Sequence, residues 1–177
     1  MSEFNIIVTT QRGNERGCIR ELLTLVDELE GPKTVLARTR FPGLLKGMVE
    51  GDPLELTRKI RARADEDPWS FRFVQRLIPI QQNVPADPKK IGEAISAISQ
   101  FIPTDASFRI VLDKRGSDLR TSDLIHEAAT GVKRKVDLEN PDWIIQIEII
   151  DEIAGISILR PDDVLSIAKL QEEAIGN

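Results

Sequence analysis

Three Asp-Pro pairs, Asp52-Pro53, Asp67-Pro68 and Asp87-Pro88, punctuate this chain and limit what it can fold into. An aspartate before a helix can accept a first-turn amide hydrogen, and the proline after it fits the first helical position, where no amide is needed. Pro inside a helix breaks it. The pairs at 52 and 87 therefore predict helix starts, with Leu54, Leu56 and Ile60 inside the first and Ile91, Ala94, Ile95, Ile98 and Ile102 as one apolar stripe on the second. The pair at 67 predicts a stop, and Pro103 ends the later helix.

The segments between these marks read alternately as strand and helix. Phe4 to Thr9 is short and β-branched, a buried strand. Asn14 is placed to cap a helix reaching about Leu29, with Ile19, Leu22, Leu23 and Val26 at helical spacing, and Gly31-Pro32 ends it. Strands follow at Thr34–Arg38 and Leu44–Val49, then the helix after Asp52, then an alternating strand from Phe71 to Ile80. This is a βαββαβ order, the ferredoxin-like split βαβ. Residues 79–88, with three prolines and Gln81-Gln82-Asn83, read as a linker. Beyond it come the helix after Asp87, a strand Phe108–Leu112, a helix capped by Thr121 or Ser122 and stopped at Gly131, strands at Trp143–Ile150 and Ile153–Leu159, and a last helix beginning at Pro161-Asp162-Asp163. The fold class expected is α+β, with one domain over residues 1–80 and a second over 81–177 that includes the C-terminal helix.

Composition excludes several functions. The net charge of −5 argues against a uniformly basic nucleic-acid coat. The single cysteine, Cys18, permits neither an intrachain disulfide nor a cysteine-zinc site, and fits a reducing, cytoplasmic compartment. MSEFNIIVTT lacks the pattern of a signal peptide, and no apolar run approaches the roughly 18 residues of a membrane span. His126, the only histidine, has no partner that can be placed beside it, so it reads as a helix-surface or half-buried residue. Cys18 lies near a helix start, where the dipole can lower a thiol pKa, but reads as a small packing residue. The glycines at 13 and 17 are followed by no phosphate-loop lysine, and Asp162-Asp163 and Glu172-Glu173 read as surface carboxylates. No catalytic residue, metal ligand or cofactor site emerges, and an enzyme is not expected.

The charge is unevenly distributed. From Arg109 to Lys135 there are seven Lys/Arg against four Asp/Glu; from Asp137 onward there are two against ten. The cations Lys114, Arg115, Arg120, Lys133, Arg134 and Lys135 flank a predicted strand and helix, where they could hold the phosphates of an RNA. Arg38, Arg40, Arg72 and Arg76 on or beside the first-half strands could extend that surface. Residues alone leave a solvated surface run open as the plainer account.

The stretch FRIVLDKRGSDLRTSDLIHEAATGVKRKVDLENPDWIIQIEII resembles the THUMP domain, an RNA-binding module of thiouridine synthases, methylases and pseudouridine synthases. The most specific part is Asp-Leu-x-Asn-Pro-Asp, from Asp137 to Asp142, and the resemblance extends over roughly residues 83–160. It implies an N-terminal ferredoxin-like domain followed by an α/β THUMP domain that grips the acceptor end of tRNA near its 3′ CCA. About 17 residues follow Arg160, fewer than a methylase, thiolase or deaminase domain needs, which makes a binding protein the expectation. The whole is similar to stand-alone THUMP proteins that present tRNA to a cytidine acetyltransferase. The alternative is a ligand-sensing or assembly module of ferredoxin-like type.

Overall fold

The computed structural model describes residues 3–176 and divides into two compact units. The first contains β1 (Ile6–Thr9), α1 (Glu15–Glu28), β2 (Thr34–Arg38), β3 (Leu44–Val49), α2 (Pro53–Glu66) and β4 (Arg76–Pro79). The fold is α+β, and this unit has the βαββαβ order read from the sequence. Its strands are antiparallel in the order β4-β1-β3-β2, so β3 lies between β1 and β2 as a split βαβ requires. Alternation sends Ile6, Val8, Leu45, Val49 and Leu77 to one face, where they pack with Leu22, Val26, Leu56 and Ile60 of the helices.

The predicted strand over Phe71–Ile80 is shortened to β4 for a definite reason. The Glu21 carboxylate accepts the amide hydrogens of Arg72 at 2.9 Å, Phe73 at 3.2 Å and Val74 at 3.0 Å. Those amides are withdrawn from any ladder, and pairing begins only at Arg76. Of the Asp-Pro pairs, Asp52 accepts from Leu54 at 2.9 Å and Asp87 from Lys90 at 3.0 Å, each starting a helix. Asp67 accepts from Trp69 at 3.1 Å and starts a single 3-10 turn. Asn14 occupies the cap position of α1 without a side-chain cap bond.

The second unit runs from Gln81 to Asp162. It comprises β5 (Gln82–Pro85), α3 (Pro88–Ile98), β6 (Ser107–Arg115), α4 (Thr121–Thr130), β7 (Lys135–Val136), β8 (Trp143–Ile150) and β9 (Ile153–Leu159), with strand order β5-β9-β8-β6-β7. Part of the expected linker is thus a strand. Pro85 is tolerated because β5 is an edge strand, where one missing amide breaks no interior ladder. The core joins Ile91, Ile95, Leu124 and Ala128 to Phe108, Ile145, Ile147 and Ile156.

The C-terminal segment departs from the expected domain division. Pro161–Asp163 forms one 3-10 turn, Leu165–Ser166 forms β10, and α5 spans Ile167–Gly176. Strand β10 pairs with β4, and Leu165, Ile167 and Leu170 enter the core of the first unit, so residues from Asp163 onward belong there and not to the second domain. Asp163 is not a surface carboxylate: Arg58 grips it through two bonds, at 2.9 and 3.1 Å. The amide of Lys169 donates to Ser166 Oγ at 3.3 Å, so the helix signal lies three residues later than Asp163.

Gly131 ends α4, but its φ of −88° needs no glycine. What requires glycine is the approach of α3: a Cβ here would lie 2.6 Å from Ser96 Cβ. Gly131→Ala should therefore destabilise the second unit by roughly 1–3 kcal/mol, the usual cost of overpacking. Adding Ser96→Gly should restore much of it, as read from urea unfolding midpoints.

Candidate nucleic-acid interface

Strands β6, β8 and β7 are parallel, and α4 is the crossover between β6 and β7. This topology separates the six cations singled out in the sequence. Lys114 and Arg115 close β6 at its C-terminal end, and Arg120 sits at the cap position of α4 beside them in the chain. The crossover then carries the chain back, so that Lys135 pairs with Ser107 and Val136 with Phe108 at the opposite end of β6. The eight steps from Ser107 to Arg115 span roughly 26 Å at about 3.3 Å per residue. The cations form two groups at opposite ends of one strand, not one patch.

At the C-terminal end of β6 most of the charge is internally engaged. Lys114 Nζ donates to the Leu119 carbonyl and pins the loop before α4. Arg115 donates to Glu148 Oε2 at 2.7 Å, and Gln146 donates to Oε1 at 2.8 Å. Arg115 thus pairs with Glu148, not with the Asp113 or Asp118 close to it in sequence. Arg120 is exposed; Thr121 is already the first helical residue, so neither it nor Ser122 caps the helix. The Glu148 side chain is fully buried, and its pKa is pushed up from 4.5 to about 7, first by desolvation, with Arg115 opposing and Asp113 adding to the rise.

The opposite end has a different character. Lys133 and Lys135 are exposed, and neither ammonium group makes a hydrogen bond or an ion pair with the described residues. Arg134, between them, turns inward. Its guanidinium donates to the carbonyls of Ile102 at 2.9 Å, Pro103 at 3.0 Å and Lys133 at 2.9 Å, which ties the end of the α3 segment to the strand leading into β7. Two of the acids here, Asp137 and Asp142, are already committed. Asp137 accepts the amides of Glu139 and Asn140, and Asp142 accepts from the amide and hydroxyl of Ser107. These bonds hold both carboxyls below their ordinary pKa and fix the turn that starts β8.

Three features of this end escaped the sequence reading. Antiparallel pairing of β8 with β9 returns Arg160 to it, with its guanidinium 4.8 Å from the Trp143 ring centroid. Phe101 is 80% exposed in the turn that Arg134 clamps. Arg109 donates through Nη1 to the Leu138 carbonyl at 3.2 Å, while its Nε and Trp143 Nε1 are buried donors without an acceptor. The periodicity of β6 places Arg109 on the face opposite Phe108, but nothing in the sequence says which end of the sheet receives Arg160.

The four first-unit arginines also divide. Arg38 shares the helix-covered side of the sheet with Leu36, whereas Arg76, next to the core residue Leu77, points to the other side. Arg72 is exposed, with its guanidinium 5.6 Å from the Phe73 ring centroid. Arg38 and Arg40 do meet, together with Arg12, around an open basin of about 740 Å³. Of the chemical candidates, Cys18 is buried and its thiol is pushed up to about 12 by desolvation, the reverse of activation. His126 is exposed on α4, and no cluster of potential metal ligands occurs among the described residues. No helix among them is long and apolar enough to cross a membrane.

Residues 86–159 match the THUMP domain model. The chain carries a THUMP domain. It coincides with most of the second unit, from just before α3 to the end of β9. No curated protein matches the sequence. Among solved structures the fold is similar to PH1313 from Pyrococcus horikoshii Ot3, with TM-score 0.63 and 14% identity over 88% of this chain and 55% of that one. It is also similar to TrmN from Thermus thermophilus, with TM-score 0.55 and 17% identity over 90% and 47% of the two chains. A third is SMU.472, a putative methyltransferase complexed with SAH, with TM-score 0.51 and 13% identity over 89% and 42%. The chain spans about half the length of these proteins, and likeness at such identity establishes the fold alone.

Two outcomes follow for stability. Glu148 holds its proton more tightly folded than unfolded, so stability should fall as pH rises from about 4.5 to about 7 and level off above. The amplitude is on the order of 3 kcal/mol. Glu148→Gln should flatten this dependence in unfolding experiments across that window. Separately, Arg134→Ala should lower stability by about 1–3 kcal/mol through loss of its carbonyl bonds, whereas Lys133→Ala and Lys135→Ala should each stay within about 0.5 kcal/mol of wild type.

Proposed function

We propose that this protein is a tRNA-binding adaptor: its THUMP domain holds the acceptor end of tRNA and presents it to a separate modifying enzyme, a cytidine acetyltransferase. The THUMP domain is associated with RNA binding and tRNA modification, and residues 86–159 supply it. The observation that carries the reading is local. On an acidic chain, one end of the THUMP sheet leaves Lys133 and Lys135 unpaired, sets the exposed Phe101 beside the residues Arg134 clamps, and turns Asp137 and Asp142 onto backbone amides. Lysines bind phosphates without reading sequence, and exposed aromatic rings suit unpaired bases such as those of a 3′ end.

In this reading Lys133, Lys135 and Arg160 are phosphate-contacting groups. Arg134 acts as a positioning residue, Lys114 and Arg115 hold the fold, and Arg120 is a solitary cation at the other end. The protein performs no chemistry itself and works with its enzyme in the cytoplasm. Recognition by a few cations on a chain of net charge −5 gives moderate affinity with a marked salt dependence.

The test is tRNA affinity against salt. Lys133→Ala/Lys135→Ala should weaken binding and reduce the logarithmic salt slope by about 1–2, at unchanged circular dichroism. Wild-type protein should prefer tRNA with an intact CCA over trimmed tRNA, and should increase acetylation by the partner enzyme when added in trans. Equal slopes for wild type and double variant would reject the assignment of these lysines. Equal affinity for intact and trimmed tRNA would reject the acceptor end as the target.

A further inference from the structure

We propose that the first unit contains a separate site, formed by Arg12, Arg38 and Arg40, for the phosphate monoester at the 5′ end of an RNA strand. The proposal rests on the RNA-binding reading above and adds to it a ligand group and residues outside the THUMP domain. Arg12 lies in the loop after β1, Arg38 ends β2, and Arg40 lies in the β2–β3 connection; together with Gly13 and Glu15 they surround the basin of about 740 Å³.

The basin has a fixed frame. The amide of Thr10 donates to the Gly43 carbonyl at 2.9 Å, and the amide of Gly43 donates to Glu15 Oε1 at 2.8 Å, so the two loops are latched together. Gly43 adopts φ of 76°, and a Cβ there would lie 2.5 Å from the Thr10 carbonyl oxygen; the latch requires glycine. Arg40 is steadied by its position 4.3 Å from the Phe41 ring centroid. The side chains of Arg12 and Arg38 make no hydrogen bond or ion pair with the described residues.

Charge decides the ligand. Three guanidinium groups line the basin against one carboxylate, Glu15, on a chain of net −5; Arg40 takes part in a further interaction, so Arg12 and Arg38 are the two that face a ligand unpaired. Glu15 does not neutralise the arginines by direct pairing. Its carboxyl is held below the ordinary pKa first by the amides of Gly43, Glu15 itself and Gly13, and only lastly by Arg38. The basin also adjoins the start of the 14-residue α1, whose dipole favours an anion. A phosphate monoester carries about −1.5 to −2 at neutral pH and offers three terminal oxygens to guanidinium forks. An internal phosphodiester has one charge and two free oxygens, a poorer match.

The remaining lining indicates a polymer end. Besides the charged groups it consists of Gly13, Thr39 and Pro42, and offers no aromatic wall on which a base could stack. A free nucleotide would be held by its phosphate alone. The end of an RNA bound elsewhere on the protein brings its phosphate to the basin at high effective concentration.

The experiment compares one tRNA sequence with a 5′-phosphate or a 5′-hydroxyl, at low salt. Wild type should favour the phosphorylated form about tenfold, one to two charge-assisted contacts. Arg12→Ala/Arg38→Ala should erase that preference while binding the 5′-hydroxyl RNA as wild type does. Arg38→Lys, which keeps charge but loses the fork, should retain part of it. Lys133→Ala/Lys135→Ala should weaken both RNAs and preserve their ratio. Equal affinity of wild type for the two RNAs, or a preference that survives in the folded double arginine variant, would overturn the site and leave the adaptor reading standing. If AMP or inorganic phosphate binds through Arg12 and Arg38 as tightly as the phosphorylated RNA, the basin serves a free phosphorylated metabolite and the proposal fails. Absence of all RNA binding would overturn both readings.

Discussion

The parallel pairing of β6 with β8 is the constraint on which the interface depends. A parallel pair cannot be joined by a tight turn, so the chain must cross back, and here α4 and β7 fill that crossover. Every charged residue between Lys114 and Asp142 inherits its place from this return. Cations before α4 fall at one end of the sheet and cations after it at the other. Antiparallel β9 then brings Arg160 to the second end, beside Trp143. Sequence proximity within a crossover therefore misleads: Arg120 and Lys133 are closer in the chain than Lys133 and Arg160, yet the latter pair shares an end.

An acidic protein can offer a polyanion a binding surface only where its carboxylates do not cancel its cations. In this chain many carboxylates have backbone or buried partners. Glu21 takes three amides, Glu15 takes the amide of Gly43, Asp137 takes two amides, and Asp142 takes the amide and hydroxyl of Ser107. Glu148 and Asp163 are buried against Arg115 and Arg58. The net charge counts these groups at full weight, although a carboxylate surrounded by donated hydrogens is less available to a neighbouring lysine. The basic surfaces are local excesses left after this internal pairing.

Much of the fold was legible because it follows from local chemistry. Asp52-Pro53 and Asp87-Pro88 do what a capping acid and a first-turn proline must, and the bounds of β2 and β3 agree with alternation and glycine breaks. The misses arise where a distant partner overrides local pattern. Phe71 to Gln75 looks like strand, but the amides of Arg72, Phe73 and Val74 go to Glu21, some fifty positions earlier in the chain. Pro161-Asp162-Asp163 looks like a helix start, but Asp163 is gripped by Arg58, and a two-residue strand intervenes before α5. Residue types at the site were legible in the same limited sense. Sequence identified cations near a THUMP motif, but not which would be engaged by carbonyls or by Glu148.

The run Lys133-Arg134-Lys135 shows how far local reasoning reaches. It leads into β7, which begins at Lys135, and the chain bends at Arg134. The first and third cations are exposed, while the second is half-buried and turned toward the carbonyls beside it. Lysine suits the outward positions, as a compact and well-hydrated charge on a flexible stem. The inward position calls for a side chain whose planar fork can satisfy several carbonyls at once, which only arginine provides. The carbonyls of Ile102, Pro103 and Lys133 converge on that fork. The middle cation thereby holds the backbone that carries the outer two, and the exposed Phe101 lies in the segment it clamps. Fold and the proposed binding thus meet within three residues. Removing all three cations together would mix any loss of the proposed phosphate contact with loss of the clamp, whereas removing the two lysines alone leaves the platform intact and isolates the charge.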